Sequence, residues 1–255
     1  MNGIVQAQFA GRFGNQLHQY CSARAWAKFV GARFECPDWI GARVFDLHDP
    51  LPSCELPEVN DGGNGLEPSI QAGQTNVRLG GYFLMQRWAR LLDRSELQIH
   101  LRVAKCWLDL IGQPRGTWDG WYAAAHMRMG DYVGHWGYAQ IPEVAYRRAC
   151  EQHGIPLDRV VWVKENEPRI VEGIPNEIAF LPDFVALLRA QVLLRANSTF
   201  SWWAAILGDA REVFAPVVED HVGYYEAPFV RGNWPRIADS SRHGIRVEDM
   251  RVPEG

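Results

Sequence analysis

The sequence predicts an α/β protein built from two Rossmann-like halves, and three observations lead there. Short apolar or period-2 runs alternate with helical patterns along most of the chain, the rhythm of parallel strands joined by helices. The first such run ends in Gly11-Arg12-Phe13-Gly14, a glycine turn that opens a helix. A chain of 255 residues, 47% of them hydrophobic, is long enough for one large domain or two smaller ones sharing an interface.

Taken in order, Ile4 to Ala10 reads as a strand, and Asn15 to Val30 as a helix with Leu17, Tyr20, Cys21, Ala25 and Phe29 near one face. Gly31 supplies its stop. From Pro50 to Asn76 the richness in Pro, Gly, Asn and Asp predicts a long irregular excursion. Arg87 to Leu110 reads as mostly helical, Trp121 to Arg128 as a strand, Pro142 to His153 as a helix opened by its proline, and Arg159 to Val163 as a strand. Ile178 to Leu181 reads as a strand, Asp183 to Gln191 as a helix with Asp183 or Pro182 at its start, and Val192 to Ala196 as a strand. Asn197-Ser198-Thr199 then begins a helix through Leu207, and Glu212 to Ala215 forms a further strand. His153-Gly154-Ile155-Pro156 breaks the pattern, so the halves are expected at residues 1–154 and 155–255, facing each other across a ligand cleft at the C-terminal ends of both sheets.

Composition excludes several classes. Hydrophobic content is too high and net charge too low for disorder, and a formal charge of -4 disfavours wrapping nucleic acid. The N-terminus lacks the basic start and apolar run of a secretory signal, and Arg189 and Arg195 punctuate the most apolar region, so no integral membrane segment is expected. Five scattered cysteines without a C-x-x-C pair fit a reducing cytoplasm, each read as a small buried hydrophobe. H-E-x-x-H, G-x-S-x-G and the D-x-D of many metal-dependent sugar transferases are all missing, which disfavours a metal.

Three stretches carry chemistry. Gly11, Arg12, Gly14 and Asn15 stand at a helix N-terminus, where close backbone approach, N–H groups and a guanidinium suit an anion; the spacing is neither G-x-G-x-x-G nor a P-loop, and the alternative is a tight turn. His126 and Arg128 end a strand, with Arg128 at its C-terminal mouth. There the guanidinium either meets a diphosphate or pairs with Asp131, and His126 is either part of the site or a hydrogen-bonded core residue. Asn197, Ser198, Thr199, Phe200 and Ser201 begin a helix that either caps itself or holds a phosphate. Trp202 and Trp203 read as packing against the sheet in preference to sugar stacking.

In order, Gly11-Arg12-Phe13-Gly14-Asn15-Gln16-Leu17-His18-Gln19-Tyr20, Gly81-Tyr82-Phe83, His126-Met127-Arg128-Met129-Gly130-Asp131-Tyr132 and Asn197-Ser198-Thr199-Phe200-Ser201-Trp202-Trp203-Ala204-Ala205 closely resemble the signature blocks of the α-1,2-fucosyltransferase family, and more widely the fucosyltransferase superfamily that includes the protein O-fucosyltransferases. The resemblance implies a GT-B-like fold, GDP-β-L-fucose as donor, a glycan acceptor, inversion at the anomeric carbon and no required metal or other cofactor. It implies that Arg128 holds the β-phosphate, that Asn15 lies beside the reacting centre, and that Ser198 to Ser201 contact the diphosphate; Asp183 is the candidate for reading guanine. Asp131 and His135 are the candidates for a general base, each with a structural alternative. Met129 replaces the second Arg of H-x-R-R, Lys164-Glu165-Asn166 stands in place of Ser-Asp-Asp, and His18 in place of Phe. The competing expectations are transfer to a protein hydroxyl, a different GDP-sugar, or a nucleotide-sugar binder without turnover.

Overall fold

The structure is a computed structural model that describes residues 3–62, 68–83, 88, 91–112, 121–130, 140–216 and 229–232. Two compact units divide the chain at 104/105. In the first, β1 (Ile4–Ala7) leads through the glycine turn into α1 (Phe13–Val30), then β2 (Arg33–Glu35), α2 (Ile40–Phe45), β3 (Glu58–Asn60), β4 (Val77–Gly80) and α3 (Arg94–His100). Its four strands are all parallel, in the order β2-β1-β4-β3.

The second unit runs α4 (Lys105–Ile111), β5 (Ala123–Met127), α5 (Glu143–Gln152), β6 (Val160–Lys164), α6 (Leu181–Leu188), β7 (Val192–Leu194), α7 (Thr199–Leu207), β8 (Glu212–Pro216) and β9 (Phe229–Arg231). Its sheet has the order β6-β5-β7-β8-β9, parallel except for β9. The α/β class with two Rossmann-like sheets is therefore as the sequence predicts. The division is not: β5 and α5, expected in the first half, belong to the second unit, because β5 pairs with β6 on one side and β7 on the other.

Strand alternation decides what each face of the second sheet buries. Ala123, Ala125, Met127, Val192 and Leu194 join Ala145, Tyr146, Ala149 and Cys150 of α5 in one apolar cluster. The opposite face meets α6, which packs on β5, β6 and α7. Trp202 and Trp203 are buried and contact each other edge-to-face at 4.9 Å, which settles them as packing residues. The three consecutive alanines of β5, all fully buried, let helices approach both faces closely.

Several expectations are corrected. Phe29 is 65% exposed, because about 100° per residue carries it roughly 120° round the helix from Leu17; Trp26 and Ala27 are buried instead. Ile178 to Leu181 is not a strand: Asn176–Ile178 is a 3-10 turn after Pro175, and α6 already begins at Leu181. The excursion from Pro50 to Asn76 contains β3, which pairs with β4. The single helix expected over Arg87 to Leu110 is two, α3 and α4, on either side of the unit boundary. Of the five cysteines, all free, Cys54 and Cys106 are exposed. Gly31 ends α1 in the left-handed region at φ 67°, as its residue type predicts. Among the described residues no helix is long and apolar enough to cross a membrane.

Candidate functional site

In the second unit the parallel register aligns the C-terminal ends of β5 and β6, with Met127 opposite Lys164, so the residues that follow, Arg128 and Glu165, emerge side by side. Arg128 Nη1 lies 3.1 Å from Glu165 Oε1, with both side chains mostly buried. Behind the carboxylate is the backbone of Gly130, at φ 47°; a Cβ there would lie 2.6 Å from Glu165 Oε2. Glycine at 130 takes this left-handed φ without strain and leaves the space that the carboxylate occupies.

His126, one pleat period back on the same face as Arg128, is buried with its ring 5.3 Å from that of Phe200. Among the described residues its Nδ1 has no hydrogen-bond partner, and its main-chain oxygen accepts from the Tyr146 hydroxyl at 2.7 Å. Burial, reinforced by the charges of Arg128 and Arg195, pushes the imidazole pKa down to about 3, so it is neutral at physiological pH. Arg195 follows β7 and is fully buried, its backbone N–H donating to Phe214 O at 2.9 Å.

From β7 the chain passes through Asn197 into α7, capped by the Ser198 hydroxyl, which accepts from the Phe200 N–H at 3.3 Å. With no acidic side chain in its first turn, α7 presents the positive end of its dipole to the space beyond the sheet. The Ser201 hydroxyl is spent locally, accepting from Ala196 N–H at 3.2 Å. Thr199 is buried, and Phe200 is packed among His126, Phe180 and Phe184. Asp183, in the first turn of α6, is held by Arg169 at 2.7 Å; burial raises its pKa against the pull of that guanidinium.

In the first unit, Gly11 takes φ 74°, with Asn15 Nδ2 over it 2.8 Å from where a Cβ would stand and the Tyr82 ring at 3.4 Å. Arg12 is the exposed N-cap residue of α1, and its carbonyl accepts from Asn15 N–H at 2.9 Å and Gln16 N–H at 3.0 Å. Gln19 ties this turn to the next: its oxygen accepts from Ala10 N–H at 2.9 Å, and its amide donates to Gly81 O at 3.0 Å. The buried carboxylate of Asp61 accepts from Phe83 N–H at 2.5 Å and stands against Gly81, which takes φ 118°. Gly14 is buried in α1 and its carbonyl meets His18 Nδ1 at 3.2 Å.

The candidates therefore fall into two groups, each at the C-terminal ends of its own sheet. Gly11, Arg12, Gly14 and Asn15 gather in the first unit; His126, Arg128, Asp183 and the run Asn197 to Ser201 gather in the second. Asp131 and His135 lie outside the described residues. Met129 packs against the apolar cluster that includes Met127 and Tyr146. A separate cavity of about 270 Å³ beside α1 and α3 is lined in part by Arg24, Lys28, Phe34 and His100, and none of these candidates lines it. Among the described residues no group of three or more His, Cys, Asp or Glu is placed to hold a metal ion.

The fold is similar to that of a bacterial fucosyltransferase. A structure of the α-1,6-fucosyltransferase NodZ soaked with GDP-fucose matches with a TM-score of 0.53 at 13% identity, over 91% of this chain and 99% of the other. Fucosyltransferase NodZ from Bradyrhizobium matches with a TM-score of 0.53 at 14% identity, over 84% and 96% of the two chains. NodZ co-crystallised with GDP gives 0.51 at 14% identity, over 85% and 96%. No protein-family model and no curated protein matches the sequence. At such identity the likeness is one of fold.

Sequence reasoning missed Glu165, Arg195, Arg169 and Asp61. Two of them carried a usable signal. Glu165 directly follows an apolar strand, where open α/β sheets place ligand groups, and Arg195 is a charge inside an otherwise apolar run.

Proposed function

We propose that this protein transfers L-fucose from GDP-β-L-fucose to a hydroxyl of a glycan, with inversion, without a required metal, and in α-1,2 linkage. The observation that carries the reading is the guanidinium of Arg128 at the end of β5, the strand that pairs with β7, from which the chain passes into the partially positive N-terminus of α7. The order of the four sequence blocks and the fold likeness to NodZ support it. NodZ is an α-1,6 enzyme, so the linkage rests on the sequence blocks alone.

Breaking the anomeric bond places negative charge on the β-phosphate while the sugar becomes cationic. Arg128 and the N–H groups opening α7 meet that negative charge, which grows as the bond breaks, so their attraction favours the transition state. His126, within electrostatic reach of Arg128, is neutral and so adds no charge of its own to repel that guanidinium. A cytoplasmic setting accords with five free thiols.

The test is acceptor-dependent release of GDP from GDP-β-L-fucose, with and without chelator, with the product linkage read by NMR. Release that survives chelation and yields an α-1,2 product is expected. Calorimetric binding of GDP without turnover on any acceptor would make the protein a binder, and absence of GDP binding would overturn the reading.

A further inference from the structure

The pairing of Arg128 with a carboxylate is unexpected at a site that must attract a diphosphate. Glu165 spends negative charge where negative charge is to be bound, and three features build it in. The β5–β6 register brings position 165 beside 128, the Glu165 N–H reaches Met127 O at 3.4 Å, and the missing side chain at Gly130 makes room for the carboxylate. The two side chains are only 15% and 22% exposed, so solvent screens their interaction with a bound phosphate weakly. Lys164, the preceding residue, is directed elsewhere, to Glu143 of α5 at 3.1 Å.

We propose that Glu165 is a positioning residue for Arg128 that also sets the balance between donor and product, holding the guanidinium in place while penalising free GDP more than the GDP-sugar. This rests on the reading of the site as a GDP-sugar site. In the transfer the anomeric C–O bond to the β-phosphate breaks and its electron pair leaves on GDP. A new C–O bond forms to the acceptor oxygen, whose proton passes to solvent. The nucleotide thereby goes from about two negative charges to about three. A fixed carboxylate beside Arg128 repels the product more than the donor by that one charge, and so helps GDP depart.

The experiment compares Kd for GDP and for GDP-β-L-fucose by calorimetry in wild type and Glu165→Gln, which keeps an oxygen to accept from Arg128 but removes the charge. The ratio of GDP to GDP-fucose affinity is expected to rise about fivefold to tenfold in the variant, with GDP a correspondingly stronger product inhibitor. A purely structural role predicts equal weakening of both ligands; that result, or an unchanged ratio, overturns the proposal. The same ratio is read in Glu165→Ser, and failure of both variants to fold would show that the carboxylate serves the fold and overturn the proposal equally. Wild-type protein that binds neither ligand brings down the GDP-sugar reading itself, whereas wild-type binding with an unshifted variant ratio removes this inference alone.

Discussion

Arg128 is held 3.1 Å from Glu165, with His126 buried behind it and Arg195 buried beside that imidazole. Because preorganised donors to a developing anion are typically worth about 3–4 kcal/mol, Arg128→Ala should lose roughly 10²–10³ in kcat, read as GDP release; wild-type turnover would refute its role. His126 yields a prediction about pH. Its folded pKa of about 3 lies below the ordinary 6.5, so between those values the unfolded chain binds a proton that the folded chain does not. Stability from this group is complete above pH 6.5 and is lost as the pH falls through the window. Between pH 7.5 and 5 the loss is about 2 kcal/mol, measurable by urea denaturation against His126→Asn, which lacks the titration. Identical pH slopes in the two proteins would contradict a buried, neutral imidazole. The residue types of this cluster were legible in the sequence as H-x-R, but its charge balance was not, since Glu165 stands 37 positions from Arg128 and Arg195 stands 67 (165 − 128 and 195 − 128).

Among the elements, the turns following strands hold the candidate residues, and they are held in turn by buried polar side chains. Asp61 at the end of β3 clamps the turn after β4, where Gly81 takes φ 118°. A Cβ at 81 would lie 2.1 Å from Asp61 Oδ1, so Gly81→Ala combines backbone strain with a collision and should cost about 3 kcal/mol. Gly73→Ala is the control: φ is 75° with nothing within 4 Å of a Cβ, so only the backbone cost of about 1 kcal/mol remains. Denaturant midpoints of the two variants, if equal, would show that Asp61 does not confine the turn. Local pattern revealed α1, α5 and α7 well, because apolar spacing, Pro142, Ser198 and Gly31 all act within one or two turns of their own element. It misread Ile178 to Leu181, where an apolar run too short to show a helical period leads into a helix with Pro182 in its first turn.

For the whole molecule, binding of GDP to the folded chain alone stabilises it by mass action. At about 100 times Kd that is roughly 2.7 kcal/mol, so Tm should rise by roughly 5–10 °C in a thermal scan, and Arg128→Ala should abolish most of the rise. An unshifted Tm at saturating GDP would contradict the nucleotide site. Two parallel sheets with helical crossovers could be anticipated from the chain's rhythm, because periods of 2 and 3.6 residues record which faces are apolar. By itself the sequence determined the α/β class, most of the strands and helices, the glycine turn, and the placing of Arg128 after a strand. Only the tertiary structure decided that β5 joins the second sheet, moving the division to 104/105, and that Glu165 stands against Arg128 with Gly130 giving it room. The reason is physical: strand partners and charge pairs are contacts between segments distant in sequence, selected by register and burial, whereas periodicity and capping report only the few residues around each position.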